Sequence, residues 1–114
     1  MLSFASGLLA ADPAVTQAQA LLKSQKYTEA IAVLDKAHAA APKSAEITKA
    51  LADANLAAGN SYMGNAALPP MQKYPAALRA YRKVLELDKT NQKAKSNIAT
   101  IEAIYIQMGR PIPQ

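Results

Sequence analysis

Few residues of this 114-residue chain are of the types that catalyse reactions or bind metals. The chain has no cysteine and one histidine, His38, which we interpret as a surface residue of a helix. Its acidic residues do not cluster as metal ligands do, and residues 59–64, GNSYMG, lack the pattern of a phosphate-binding loop. We therefore expect a protein that is not an enzyme and that needs no cofactor or metal.

The positive charge of the chain is concentrated in its second half. Net charge is +5, and residues 1–60 hold as many acidic residues as lysines, so the whole excess lies in residues 61–114. Binding of nucleic acid or of an anionic surface would need such charges to form a patch, and nucleic acid would also need aromatic residues that stack on bases. We expect the nearby tyrosines to lie in the core, so a solvated face is favoured. The candidate patch consists of Arg79, Arg82, Lys83, Lys93 and Lys95.

Apolar residues at helical spacing predict an all-α chain, together with prolines, the capping residues Asp12 and Ser44 and the helix-ending Gly109. No segment alternates apolar and polar residues over the length of a strand, and no apolar run is long enough to span a membrane. We expect residues 65–72, NAALPPMQ, to be a loop because of the Pro69-Pro70 pair, and residues 109–114 to be an extended tail. The predicted helices span about 12–24, 28–41, 44–64, 75–88 and 91–108.

Two stretches of the chain are similar to each other. Residues 26–41, KYTEAIAVLDKAHAAA, align with residues 73–88, KYPAALRAYRKVLELD, and the aligned tyrosines Tyr27 and Tyr74 are 47 residues apart. Internal repetition on this scale is typical of stacked supersecondary units. The pattern therefore predicts two helical hairpins followed by one more helix.

These residues resemble the tetratricopeptide repeat (TPR) family. In the first repeat the resemblance is carried by residues 27–31 and by Leu34, Ala37 and Pro42. In the second it is carried by Tyr74, Ala77, Leu78, Tyr81, Val84, Leu87 and Asp88. The family's small residue on the first helix falls on Ala18 and, in the second repeat, on Ala52 or Gly59.

The resemblance implies a right-handed α-solenoid, in which close-packed small residues such as Ala30 and Ala77 let the helices approach. The implied domain covers residues 12–108, with repeats at about 12–42 and 44–88 and a C-terminal capping helix at about 91–108. Two repeats are fewer than the roughly three that such folds usually need for stability. The capping helix, or a partner chain, must therefore contribute.

The repeat period of 47 residues exceeds the usual value of about 34. The extra residues could all lie between the third and fourth helices. Alternatively, about seven of them lengthen the third helix, close to two helical turns, and the others lengthen the loop. That loop could fold over a binding groove through Leu68 and Met71, or it could be an insertion without a role.

The resemblance also implies a concave groove, lined by the first helix of each pair, that binds a peptide or a protein segment. The chain would then act as an adaptor or an assembly scaffold. Gln19 and Asn60 would bond the ligand backbone, and apolar neighbours would bury its side chains. The alternative is that this side is only the exposed face of a curved scaffold. The matching positions are Val15, Gln19, Leu22, Lys23, Asp53, Leu56, Asn60 and Met63, with Lys93, Ser96, Thr100 and Ala103 from the capping helix.

Weaker sequence patterns suggest two alternative functions and a cellular location. Self-association through the repeats and the apolar N-terminus is one rival, and binding to nucleic acid or an anionic surface is another. Residues 1–11, MLSFASGLLAA, suggest the end of an export signal cleaved near Ala10 or Ala11, or else an apolar extension of the first helix. We therefore favour an exported or periplasmic protein over a cytoplasmic one.

Overall fold

The computed structural model of the protein describes residues 11–114. Within that range the chain forms five α-helices and no strand, which confirms the predicted all-α fold. Consecutive helices pack against each other along the chain, and the third also packs against the first. The predicted export signal lies outside the described residues, apart from Ala11. The helices are α1 (Pro13–Lys23), α2 (Tyr27–Ala40), α3 (Ala45–Gly64), α4 (Pro70–Leu87) and α5 (Gln92–Met108).

Side-chain caps start three of the helices. The first N–H groups of a helix have no partner within it, so a side-chain oxygen placed just before the helix can accept one of them. Asp12 accepts from the N–H of Ala14 at 2.8 Å, and Ser44 accepts from Ile47 at 3.2 Å, as the sequence predicted. Asn91 caps α5 in the same way. At its other end α5 stops at Gly109, whose left-handed φ of 67° favours glycine.

A first hydrophobic cluster joins α1, α2 and the first half of α3. Ala30 and Leu34 of α2 are completely buried in it, and Ala18 of α1 is 1% exposed. Small side chains at Ala18 and Ala30 let the three helices approach closely, while Leu34 fills the space between them. The cluster consists of Val15, Ala18, Ala30, Leu34, Ile47, Leu51 and Ala54.

A second cluster joins α3, α4 and α5. Ala77, which aligns with Ala30, is again completely buried, so the small helix-contact residue predicted in each repeat is present. Leu87 packs against both clusters, and α3 contributes residues to both, so the two cores are physically continuous. Ile112 of the C-terminal tail packs on the second cluster. Its buried members are Ala52, Ala77, Leu78, Tyr81, Val84, Ala94, Ile101 and Tyr105.

The predicted start of the fourth helix is wrong. The helix was expected to begin at Pro75 after a loop over residues 65–72, but α4 begins at Pro70 and contains Pro75. A proline in the first turn of a helix loses no hydrogen bond, because the first N–H groups have no partner within the helix. The Pro69-Pro70 pair therefore starts the helix, and the loop is limited to residues 65–69.

The extra residues of the second repeat lengthen its helices. Helix α3 has 20 residues where α1 has 11, and α4 has 18 where α2 has 14. The connecting loops, residues 24–26 and 65–69, differ much less. Of the two divisions considered, the one with a long third helix is closer to the structure, although α4 takes up much of what was assigned to the loop. The second hairpin therefore extends beyond the first.

Candidate functional site

Three shallow depressions lie along α3, on the side that it shares with α1 and α5. The first, of about 260 Å³, lies between α1 and α3. Helices α1 and α3 pack together, and side chains of both line this depression. The lining residues are Ala11, Val15, Gln19, Glu46, Lys49, Ala50 and Asp53.

The second depression, of about 300 Å³, lies between α3 and α5. All of its lining residues are polar: Asn60, Gln92, Lys93, Ser96 and Asn97. Carboxamide and hydroxyl groups both donate and accept hydrogen bonds, which is what the backbone of an extended peptide requires.

The third depression, of about 440 Å³, connects α3 with the segment that leads from α4 into α5. It shares Lys49 and Asp53 with the first depression, so the two are adjacent along α3. We call the residues lining these three depressions the α1–α3–α5 face. The third set is Ala45, Thr48, Lys49, Ala52, Asp53, Leu87, Asp88 and Asn91.

Most residues predicted for the groove are accessible in the structure, though to different degrees. The exposed ones are Gln19, Lys23, Asp53, Asn60 and Thr100, together with Lys93, Ser96 and Ala103. Three apolar ones are half-buried: Leu22, Leu56 and Met63. Leu22 packs against the first cluster, and Leu56 and Met63 pack against the second, so only part of each remains for a ligand.

Val15 has a different position from the other predicted residues. It is 4% exposed and belongs to the first cluster, at the floor of the depression between α1 and α3. Its contribution to the α1–α3–α5 face is therefore mainly to hold the floor in place. Gln19, one helical turn further along α1, is exposed at the rim.

Lys49 and Asp53 form an ion pair at the centre of the α1–α3–α5 face. The Lys49 Nζ donates a hydrogen bond to Asp53 Oδ2 at 2.8 Å across one turn of α3. This hydrogen bond and the charge of Asp53 raise the pKa of Lys49 above its ordinary value. Asp53 was among the residues predicted for the groove and Lys49 was not, although the four-residue spacing of opposite charges on a predicted helix indicates such a pair.

Asn60 is held by a residue of the helix behind it. The hydroxyl of Tyr81, on α4, donates to Asn60 Oδ1 at 2.7 Å. This fixes the carboxamide with its N–H₂ group as the part that can donate to a ligand carbonyl. Thr100 is engaged within its own helix, because its hydroxyl donates to the carbonyl of Ser96 at 3.1 Å.

The part of the chain that the structure describes shows no group of three or more histidine, cysteine or acidic residues that could hold a metal ion. Within residues 11–114, none of the helices combines the length and apolarity needed to cross a bilayer. His38, the single histidine, is half-buried on α2 and is not part of the α1–α3–α5 face.

The tetratricopeptide repeat family model matches residues 21–61 of the chain. The matched range begins near the end of α1 and includes α2 and most of α3. It therefore contains Ala30, Leu34 and Pro42, three of the residues that carried the resemblance in the first repeat. No curated protein and no solved structure matches the chain.

Proposed function

We propose, on the premise that this chain is a tetratricopeptide repeat protein, that its α1–α3–α5 face binds an extended segment of a partner protein. Tetratricopeptide repeats generally mediate protein–protein interaction and generally do so without catalysis. The chain would bring its partner into an assembly as an adaptor or scaffold. The observation that carries the proposal is the set of three depressions along α3, one shared with α1, one with α5 and one with the segment that leads from α4 into α5.

The α1–α3–α5 face is better suited to bind the backbone of a peptide than to bind large apolar side chains of a ligand. Amide groups at Gln19, Asn60 and Asn97 provide donors and acceptors on all three helices. Leu22 and Leu56, which were predicted to make apolar contacts with the ligand, are half-buried. We therefore expect an extended ligand bound mainly by backbone hydrogen bonds, with small side chains against the face.

The charges of the α1–α3–α5 face are mixed in sign. Lys49 and Lys93 are offset by Glu46, Asp53 and Asp88. A phosphate-binding surface would show affinity that falls steeply with salt, because counterions are released on binding. A balanced face predicts weak salt dependence instead, and this difference separates a peptide ligand from nucleic acid.

Site-specific cross-linking in the source cells tests the proposal. A photoreactive phenylalanine analogue placed at Ser96, which is exposed on the α1–α3–α5 face, should cross-link to one defined segment of a partner protein. The same probe at Ala39, exposed on α2, is the matched control and should not. Identical products from both positions would contradict the proposal, and cross-links to a second copy of the chain would support self-association instead.

A synthetic peptide of the cross-linked segment then allows binding to be measured directly. Ser96→Arg places a bulky charge on the α1–α3–α5 face without touching either cluster. It should lower the affinity for the peptide at least about tenfold and leave the fold unchanged. Ser96 is a better position for this test than the predicted groove residue Leu56, because Leu56 packs against the second cluster and its substitution could disturb the fold. Unchanged affinity of Ser96→Arg would remove Ser96 and its neighbours from the binding site.

A further inference from the structure

We infer that Tyr81 is a positioning residue for ligand recognition, and that the ligand places a main-chain carbonyl opposite Asn60. From the core beneath α3, the Tyr81 hydroxyl holds the Asn60 carboxamide in the orientation that offers its N–H₂ group to the α1–α3–α5 face. The inference rests on the function proposed above, because the ligand is the same extended segment. It adds one defined hydrogen bond to the ligand and the buried residue that prepares it.

The pair Tyr81 and Asn60 connects the core with the α1–α3–α5 face. Tyr81 lies on α4, is 1% exposed and belongs to the second cluster. Asn60 lies on α3, is exposed and lines the depression between α3 and α5. The hydrogen bond of 2.7 Å from the Tyr81 hydroxyl to Asn60 Oδ1 therefore joins a buried side chain to an exposed one. Because the ring is fixed by packing, its hydroxyl is a fixed point that holds Asn60.

Gly59 gives the Tyr81 ring its path to Asn60. A Cβ atom at Gly59 would lie 2.6 Å from Cε1 of the ring and 2.9 Å from both Cδ1 and Cζ. The ring therefore lies close to the bare backbone of α3, one residue before Asn60. In the first repeat the residue aligned with Tyr81 is Leu34, which has no hydroxyl. Of the two repeats, the second therefore has this arrangement and the first does not.

The bond to Tyr81 determines which end of the Asn60 carboxamide meets a ligand. A carboxamide carries an oxygen that accepts hydrogen bonds and an N–H₂ group that donates them, and an unbound asparagine can rotate to present either. Here a rotation by half a turn would put Nδ2 in the place of Oδ1, and the hydroxyl hydrogen of Tyr81 would lose its acceptor. Leaving the hydroxyl of a buried side chain without its acceptor is unfavourable, so the N–H₂ group stays directed away from Tyr81.

The group left free on Asn60 is a donor, so its partner on the ligand must be an acceptor. Lys93 lines the same depression, and its ammonium group also only donates. An extended segment carries a carbonyl acceptor at every residue, whatever its sequence. A main-chain carbonyl opposite Asn60 therefore satisfies the fixed donor without requiring a particular side chain.

A double-mutant cycle measures whether Tyr81 acts through Asn60. The probe is the synthetic peptide of the segment cross-linked at Ser96, titrated by fluorescence anisotropy at a temperature where all variants are folded. Tyr81→Phe should lower the affinity about three- to tenfold, because the Asn60 carboxamide is then free to rotate. In the Asn60→Ala background, the same substitution should change the affinity by less than about twofold.

Tyr105→Phe is the matched control for the loss of a hydroxyl. Tyr105 belongs to the same cluster, and its buried hydroxyl makes no hydrogen bond within residues 11–114. Its removal should therefore leave the affinity for the peptide unchanged.

Asn60→Asp tests whether the ligand presents an acceptor or a donor. Aspartate keeps an oxygen that accepts from Tyr81 but has a second oxygen in place of the N–H₂ group. Two acceptors would then face each other, so the affinity should fall at least about tenfold. A rise in affinity would show that the ligand presents an N–H group there, and it would overturn the assignment of the carbonyl.

Two other results would overturn the positioning role of Tyr81. One is wild-type affinity in Tyr81→Phe. The other is a loss of affinity that persists in full in the Asn60→Ala background, which would mean that Tyr81 acts through the fold rather than through Asn60. Both differ from failure of the proposed function, in which the wild-type protein captures no defined segment and this inference falls with it.

Discussion

At the scale of single residues, Gly59 determines how closely α3 and α4 approach. A Cβ atom built at Gly59 would lie 2.6 Å from Cε1 of Tyr81, a distance that real contacts do not show. Tyr81 is 1% exposed and aligns with Leu34 of the first repeat. The larger ring in the second repeat is therefore accommodated because the residue facing it has no side chain.

Gly59→Ala should destabilise the protein, although alanine is intrinsically the better helix former by about 1 kcal/mol. Overpacking against the Tyr81 ring should outweigh that gain and cost about 1–3 kcal/mol in the free energy of unfolding, measured by urea denaturation. Gly64→Ala is the control, because a Cβ atom there meets nothing within 4 Å. Finding both variants equally stable would mean that Gly59 is not a packing constraint.

Removing the hydroxyl of Tyr81 and removing that of Tyr105 should have different effects on stability. Tyr81→Phe loses the hydrogen bond to Asn60 and should cost about 0.5–1.5 kcal/mol. The Tyr105 hydroxyl is buried and makes no hydrogen bond within residues 11–114, so Tyr105→Phe should leave stability unchanged or raise it. Thermal denaturation of the two variants checks this prediction, and a loss of stability in Tyr105→Phe would contradict it.

Alkaline pH should destabilise the protein through Tyr81. Burial raises the pKa of its phenol above the ordinary value of about 10. The unfolded chain therefore loses this proton first as pH rises, and the stability that Tyr81 contributes is present below about pH 10 and declines above it. The raised pKa of Lys49 affects stability in the same direction, because Lys49 too loses its proton at a higher pH in the folded chain than in the unfolded chain. Urea denaturation across this range should show a smaller alkaline loss in Tyr81→Phe than in the wild type.

At the scale of the elements, the second hairpin differs from the first by its long helices, and Pro75 marks where the extension joins α4. Pro75 lies in the place of Thr28, near the start of α2, but in α4 further residues precede it. A proline inside a helix has no N–H to donate to the carbonyl four residues earlier, which here belongs to Met71. The extension is therefore attached to the helix by fewer hydrogen bonds than a regular turn.

Pro75→Ala should restore the hydrogen bond to the Met71 carbonyl and remove the ring's clash with that turn. We expect the free energy of unfolding to rise by up to about 3 kcal/mol and the amide exchange of Gln72 and Lys73 to slow. Pro70→Ala is the control, because a proline at the first helical position costs no hydrogen bond. An equal effect of the two substitutions would show that the position of Pro75 inside α4 is unimportant.

At the scale of the whole molecule, α3 makes two small cores into one. Leu51 and Ala54 belong to the first cluster and Ala52 to the second, and Leu87 packs against both. Helix α5 covers the second cluster with Ile101 and Tyr105. These shared contacts explain how two repeats and one further helix bury a continuous core, where repeat folds usually need about three repeats.

Leu34→Ala in the first cluster and Ile101→Ala in the second should therefore each destabilise the whole chain. Both side chains are completely buried, and each truncation should cost about 2–5 kcal/mol. Urea denaturation should remain a single transition in both variants, and amide exchange should become faster in both α2 and α5. Two separate transitions, or faster exchange confined to the mutated half, would show that the clusters unfold independently.

The sequence by itself determined the number and order of the helices, the caps of α1 and α3, the end of α5 and the buried small residues. These features depend on neighbours within one or two helical turns: a side-chain oxygen before a helix, a stripe of apolar residues, a glycine after the last turn. Asp12, Ser44 and Gly109 therefore have the predicted roles, and Ala30 and Ala77 are completely buried.

Only the tertiary structure decided which residues of each apolar stripe are buried. Their burial depends on where a helix from elsewhere in the chain begins and ends. Val15, predicted for the groove, is under α3, whereas Met108, at the end of an apolar stripe, is exposed. Pro70 starts α4 five residues earlier than expected, and this extends the second hairpin. The sequence thus set the faces of the helices, and the lengths and packing of α3, α4 and α5 set which of those faces remain open to a partner.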